Sequence, residues 1–159
     1  GIDLDPGAVA LAAANAARAG IGDRAAFLLA DWRDPASLPA GPFDLALANP
    51  PYIPTDMLAG LAPEVVRYDP RAALDGGPDG LDAYRALAPL LAARLAAAGL
   101  AVVEHGEGQG DAVAAIMAAS GLPAPAWRAD LAGLRRCLIL GRGPGPGAKK
   151  PFGDRDRPD

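Results

Sequence analysis

The apolar run Phe43-Asp44-Leu45-Ala46-Leu47-Ala48 leads straight into Asn49-Pro50-Pro51-Tyr52. The run has the length and character of a strand. A strand that ends in such a turn sets it at the carboxyl edge of a sheet, where open α/β folds bind their ligands. The two prolines hold φ at about −65° and carry no N–H, so the turn is stiff and offers acceptors only. An Asn side-chain oxygen and a Pro carbonyl can together accept both hydrogens of an –NH₂ group. The aromatic ring can then lie flat against the planar amide or base that bears it. Taken alone, the tetrapeptide reads equally well as a strand followed by a proline-rich turn without chemistry.

The rest of the chain alternates strands with helices. Gly1-Ile2-Asp3-Leu4-Asp5 has the pattern of the end of a buried strand. Asp5 is the expected N-cap of a helix that Pro6 opens and that runs to about Ala19, with Gly20 ending it. Strands are expected at 25–30, 43–48 and 100–104, and a closing antiparallel hairpin at 126–130 and 135–141. Long helices are expected over 81–98 and 109–120, stopped by Gly99 and Gly121. Residues 53–79 are rich in Pro, Gly and Asp and are expected to form a long loop, with at most a short helix near 56–60; a loop of that length is usually functional. After Arg142 the chain is Gly, Pro and charge, so 143–159 is expected to be a disordered tail. This alternation calls for an α/β fold with a parallel sheet.

At 159 residues one domain with a real core is expected. Hydrophobic residues reach 51%, but much of that is alanine, so helices should lie close to the sheet. A formal net charge of −4 argues against a chain that grips nucleic acid by its phosphates. The lone cysteine, Cys137, excludes internal disulfides and fits a reducing cytosol, so a cytoplasmic protein is expected. No apolar run reaches the roughly 18 residues of a membrane span. The chain begins at Gly1, inside a recognisable pattern, and is expected to be incomplete at its amino end.

Three strand ends carry candidate chemistry. Asp3 ends the first strand, where an acidic residue can accept from ribose hydroxyls. Asp5 competes for that role, although its place before Pro6 suits a cap. Asp31-Trp32 ends the next strand, where the carboxylate can accept from an adenine amino group and the indole can pack near the ring; a core Trp is the plainer reading. His105 is the only histidine and reads as structural rather than as a base. Arg67, Tyr68 and Asp69 read equally as substrate grip or as solvated loop, and Arg135 and Arg136 as surface charge.

Four stretches resemble the HemK-type release-factor glutamine methyltransferases: Gly1–Pro6, Asn49–Ile53, Tyr68–Leu81, and Glu104-His105-Gly106 with Gln109-Gly110. The resemblance covers 1–142 and implies part of a catalytic domain with a Rossmann-like S-adenosylmethionine-dependent sheet. The family's first strand and Gly-rich loop are not among these residues, nor is its small helical amino-terminal domain. In the resembled fold the first strand lies between the one ending at Asp3 and the one ending at Asn49. Either that gap stays open, with the two strands not bonded to each other, or the sheet collapses so that they pair directly. The open gap is expected, and the chain is expected to be poorly stable and to bind cofactor weakly or not at all.

The implied reaction moves a methyl from S-adenosylmethionine to the side-chain amide nitrogen of the glutamine in the Gly-Gly-Gln loop of class I peptide chain release factors. The resemblance implies Asn49, Pro50 and Tyr52 as catalytic residues and Asn49, Pro50, Pro51 and Tyr52 as the substrate turn. It implies Asp3, Asp31, Trp32 and Asn49 at the cofactor, no metal, no membrane and a monomer. Two alternatives stand beside it: a nucleic-acid amino-methyltransferase acting on adenine or guanine, and an inactive fragment.

Overall fold

A computed structural model describes residues 1–122 and 126–141; the expected tail at 143–159 lies outside the described residues. The chain divides into two compact units, Gly1–Ala40 and the part from Gly41 onward.

In the first unit, β1 (Ile2–Asp3) runs parallel to β2 (Leu28–Leu29), with Ile2 opposite Leu28 and Asp3 opposite Leu29. Helix α1 (Pro6–Arg18) makes the crossover. Asp5 caps it as expected: its Oδ1 accepts from the Ala8 N–H at 2.8 Å, a bond worth about 1 kcal/mol. β2 is shorter than the expected 25–30, because β1 offers only a two-residue ladder to pair with. The buried apolar residues of this unit are Ala16 and Ala30, while Leu28 and Leu29 are exposed. A two-stranded sheet with so small a core is marginal. Amide exchange at Ile2–Leu29 is therefore expected to run orders of magnitude faster than at Val103 and Leu138, as read by native-state exchange mass spectrometry. Equal protection would contradict this.

The second unit contains β3 (Phe43–Ala48), α2 (Pro63–Tyr68), α3 (Asp82–Arg94), β4 (Leu95–Glu104), α4 (Gly110–Ala119), β5 (Ala126–Ala129) and β6 (Arg135–Gly141). Its sheet has the order β3-β4-β6-β5. β3 and β4 are parallel, from Leu45 opposite Leu100 to Ala48 opposite Val103. β6 runs antiparallel to both β4 and β5, which forms the expected terminal hairpin. β1 and β3 lie in separate sheets. On α3, Tyr84, Leu87 and Leu91 are buried, at positions 84, 87 and 91, the spacing of one helix face. Val113 and Met117 of α4, Leu95 and Val103 of β4 and Leu138 and Leu140 of β6 pack into the same core. Each large apolar side chain buried there contributes roughly 1.5–3 kcal/mol.

Two expectations are corrected. The helix expected over 81–98 stops at Arg94, and Leu95 already pairs with Phe43 in the sheet. Leu95-Ala96-Ala97-Ala98 has high helix propensity, but Leu95 is 1% exposed, and its burial in the core outweighs a preference worth tenths of a kcal/mol per residue. The register then slips between Phe43 and Leu45, so residues 96–99 bulge out of the ladder before Leu100 rejoins it. The segment 53–79 is also more ordered than a loop: it holds 3₁₀ turns at Thr55–Gly60 and Arg71–Ala73 around α2. Among the described residues no helix is long and apolar enough to cross a membrane.

Candidate active site

Asn49 leaves the end of β3 and is exposed, while Pro50 and Pro51 are buried and Tyr52 is half-buried. Among the described residues no group hydrogen-bonds the Asn49 side chain or the Pro50 carbonyl. Two acceptors at a strand end are thus left unbonded among the described residues, one on exposed Asn49 and one on fully buried Pro50, on backbone that the two prolines stiffen.

The backbone just past the turn is held on several sides. The Ile53 N–H donates to the Leu74 carbonyl at 3.0 Å, and the Gly76 N–H donates to the Ile53 carbonyl at 2.9 Å, forming a parallel bridge between Ile53 and Asp75. Asp75 knots this bridge together. Its Oδ1 accepts from Thr55 Oγ1 at 2.6 Å and from the Gly77 N–H at 3.1 Å, and its Oδ2 accepts from Arg71 Nε and Nη2 at 3.1 and 3.0 Å. The Thr55 hydroxyl foremost, then the Gly77 N–H and the Arg71 guanidinium, hold its carboxyl below the usual range. Asp79, bound to Arg85 through two oxygens, is held at about 2. From the other side, Gln109 Nε2 donates to the Tyr52 carbonyl at 2.8 Å, and Gln109 Oε1 accepts from the Gly106 N–H at 3.0 Å.

Arg67 and Tyr68 are exposed on α2, with the guanidinium over the Tyr68 ring at 5.5 Å; Asp69 is exposed just beyond the helix. His105 is 1% exposed. Its Nδ1 faces the Gly106 carbonyl at 2.8 Å and so carries the proton, and its ring meets Trp127 edge-on at 5.8 Å, the surroundings of a core histidine. Tyr84 is fully buried and donates to the Glu104 carbonyl at 3.0 Å; burial pushes its hydroxyl far above the ordinary range, so it stays protonated. Arg135 lies over Trp127 at 4.8 Å, and Arg136 is half-buried in an ion pair with Asp130.

Asp3, Asp31 and Trp32 belong to the first unit. Because β1 and β2 are parallel, Asp3 and Asp31 leave the same sheet edge. Asp3 Oδ1 accepts from the Asp5 N–H and Asp31 Oδ1 from the Arg33 N–H, while Oδ2 of each carboxylate has no partner among the described residues. Trp32 Nε1 is buried with no hydrogen-bond partner among the described residues. Among the described residues no cluster of His, Cys, Asp and Glu is placed to hold a metal.

The braces at Asp75 and Gln109 are not among the residues singled out one by one in the sequence. Their signal there is the glycine spacing around them, at 76, 77, 80, 106 and 110, which marks close backbone approach without naming what approaches.

Over 142 residues the chain is 50% identical to a release factor glutamine methyltransferase of Rhodospirillum rubrum, covering 89% of this chain and 43% of that one. It is 49% identical over 121 residues to the protein of the same name from Caulobacter vibrioides (76% and 41% covered), and 45% identical over 139 residues to that of Bradyrhizobium diazoefficiens (87% and 46%). No family model matches the chain. In structure it is similar to a methyltransferase from Pyrococcus furiosus, with a TM-score of 0.63 at 14% identity over 89% of this chain and 61% of that one. It is also similar to TrmN from Thermus thermophilus, with a TM-score of 0.54 at 21% identity over 88% and 35%. At such identities the likeness speaks for the fold, which is the Rossmann-like α/β fold of methyltransferases. By sequence the chain is a relative of the release factor glutamine methyltransferases, and it spans about half the length of the curated ones it matches.

Proposed function

We propose that the protein containing this chain transfers a methyl group from S-adenosylmethionine to the side-chain amide nitrogen of a release-factor glutamine. The observation that carries the proposal is the pair of acceptors left unbonded among the described residues, Asn49 Oδ1 and the Pro50 carbonyl, on a turn braced behind them by Gln109 and by the Ile53–Asp75 bridge. An amide nitrogen is a poor nucleophile because its lone pair is delocalised. Rate must come from orientation, which can supply several kcal/mol of the barrier. Asn49 and Pro50 accept the two N–H bonds and set the amide plane, with Tyr52 packed on its face. The bound sulfonium supplies an electrophilic methyl. When bound, it would give up the methyl and keep the S–CH₃ electron pair, and the surplus amide proton would leave to solvent. The chain therefore needs no strong base here, in keeping with a buried His105. Asp3 and Asp31 would accept from the ribose and adenine through their second oxygens, and Trp32 would pack near the base.

The test is a methylation assay on the full-length protein with labelled S-adenosylmethionine, a release factor carrying Gly-Gly-Gln, and DNA and RNA oligonucleotides. Label is expected on the glutamine alone. Label on oligonucleotides and none on release factor would replace this reading with that of a nucleic-acid amino-methyltransferase. The net charge of −4 argues against that outcome.

A further inference from the structure

Gln109 lies 57 residues from Tyr52 in sequence, on the loop between β4 and α4, yet its side chain reaches the Asn-Pro-Pro-Tyr turn. Both ends of its amide are engaged. Oε1 accepts from the Gly106 N–H at 3.0 Å, and Nε2 donates to the Tyr52 carbonyl at 2.8 Å, with the Gly80 carbonyl further off at 3.5 Å. The orientation of the amide is fixed by its partners, since a backbone N–H only donates and a carbonyl only accepts. The Tyr52 carbonyl and the Ile53 N–H belong to one peptide plane, and that N–H is bound to the Leu74 carbonyl. The plane is thus held at both edges. Between it and Asn49 stand two prolines whose fixed φ angles remove two of the turn's backbone rotations. Holding the Tyr52–Ile53 plane therefore anchors the Tyr52 backbone, from which the ring and the turn before it extend. The ring itself lies so close to Gly106 that a β-carbon there would meet Tyr52 Cδ2 at 3.1 Å.

We infer that Gln109 is a positioning residue: it anchors the Tyr52 backbone, and with it the place from which the Tyr52 ring and the turn meet the substrate amide, without touching substrate. The inference rests on the function proposed above for the same turn. Gln109→Glu tests it with almost no change in shape. The new carboxylate still accepts from the Gly106 N–H. When ionised it has no hydrogen to give the Tyr52 carbonyl, and it sets a negative charge against two carbonyl oxygens; when protonated, it donates again. At pH 8 the variant is expected to show a kcat about 10–100-fold below wild type, the scale of a misplaced reacting group. Its KM for S-adenosylmethionine should stay within about twofold of wild type. As pH falls through the carboxyl's titration, kcat should climb back towards wild type, whereas Gln109→Leu should stay low at every pH. The titratable neighbours Tyr52, His105 and Glu107 are present in wild type as well, so the ratio of the two profiles cancels them.

Amide exchange at Ile53 is read alongside, because it needs no substrate. It should quicken in Gln109→Glu at pH 8, relative to wild type at the same pH, and recover on acidification. If exchange follows this pattern but release factor is never methylated, the clamp stands and the proposed function fails. If release factor is methylated at wild-type kcat across the pH range, the inference is overturned. It is also overturned if the loss is independent of pH and shared equally by the KM for cofactor.

Discussion

Asn49→Ala is expected to lower kcat for glutamine methylation about 10²–10³-fold while leaving the Kd for S-adenosylmethionine within about threefold of wild type. The scale is that of removing one preorganised hydrogen-bond partner from a reacting centre. The Asn49 side chain is exposed and unbonded among the described residues, so its truncation breaks no contact there and should leave stability nearly unchanged. Loss of activity without loss of fold is what distinguishes a substrate acceptor from a structural residue. Single-turnover methylation of release factor beside isothermal titration of cofactor reads both quantities. Equal kcat in variant and wild type would sink the acceptor role.

The same residues show how far the sequence reaches. The run at 43–48 and the turn after it, the Asp5 cap with Pro6, and the closing hairpin are local signals, and each element stands where it was expected. Leu95 was not legible, because its Ala-rich surroundings favour a helix and only its burial beneath the sheet makes it a strand residue. α2 was hidden by the prolines, glycines and aspartates around it, although Pro63 at its first turn is a helix-start signal. At the candidate site, the Asn-Pro-Pro-Tyr turn was legible because it lies within four consecutive residues. The brace was not: Gln109 meets Tyr52 across 57 residues and Thr55 meets Asp75 across 20, and single-sequence periodicity carries nothing over such spans.

Gly80→Ala is expected to be the most destabilising single-methyl change at this site. Gly80 has φ of +74°, which costs a residue with a side chain about 1–2 kcal/mol. Space is refused as well: a β-carbon there would meet Gln109 Nε2 at 2.5 Å and collide with the Tyr52 carbonyl oxygen. The colliding atoms are the two that make the Gln109–Tyr52 hydrogen bond, so the methyl fits only if that bond opens. Overpacking of this kind costs about a further 1–3 kcal/mol. The matched control is Gly133→Ala in the β5–β6 turn, where φ is +83° but nothing stands within 4 Å of the added carbon. Both variants carry the strain of a positive φ, and only Gly80→Ala carries the collision. Thermal unfolding should therefore place Gly80→Ala several degrees below Gly133→Ala, and Gly133→Ala in turn below wild type. Where Gly80→Ala remains folded, its kcat should fall as that of Gln109→Leu does, since both free the Tyr52 carbonyl. Equal melting temperatures for the two alanine variants would show that the Tyr52 turn yields readily to the methyl, and the picture of a stiff, braced acceptor would fail.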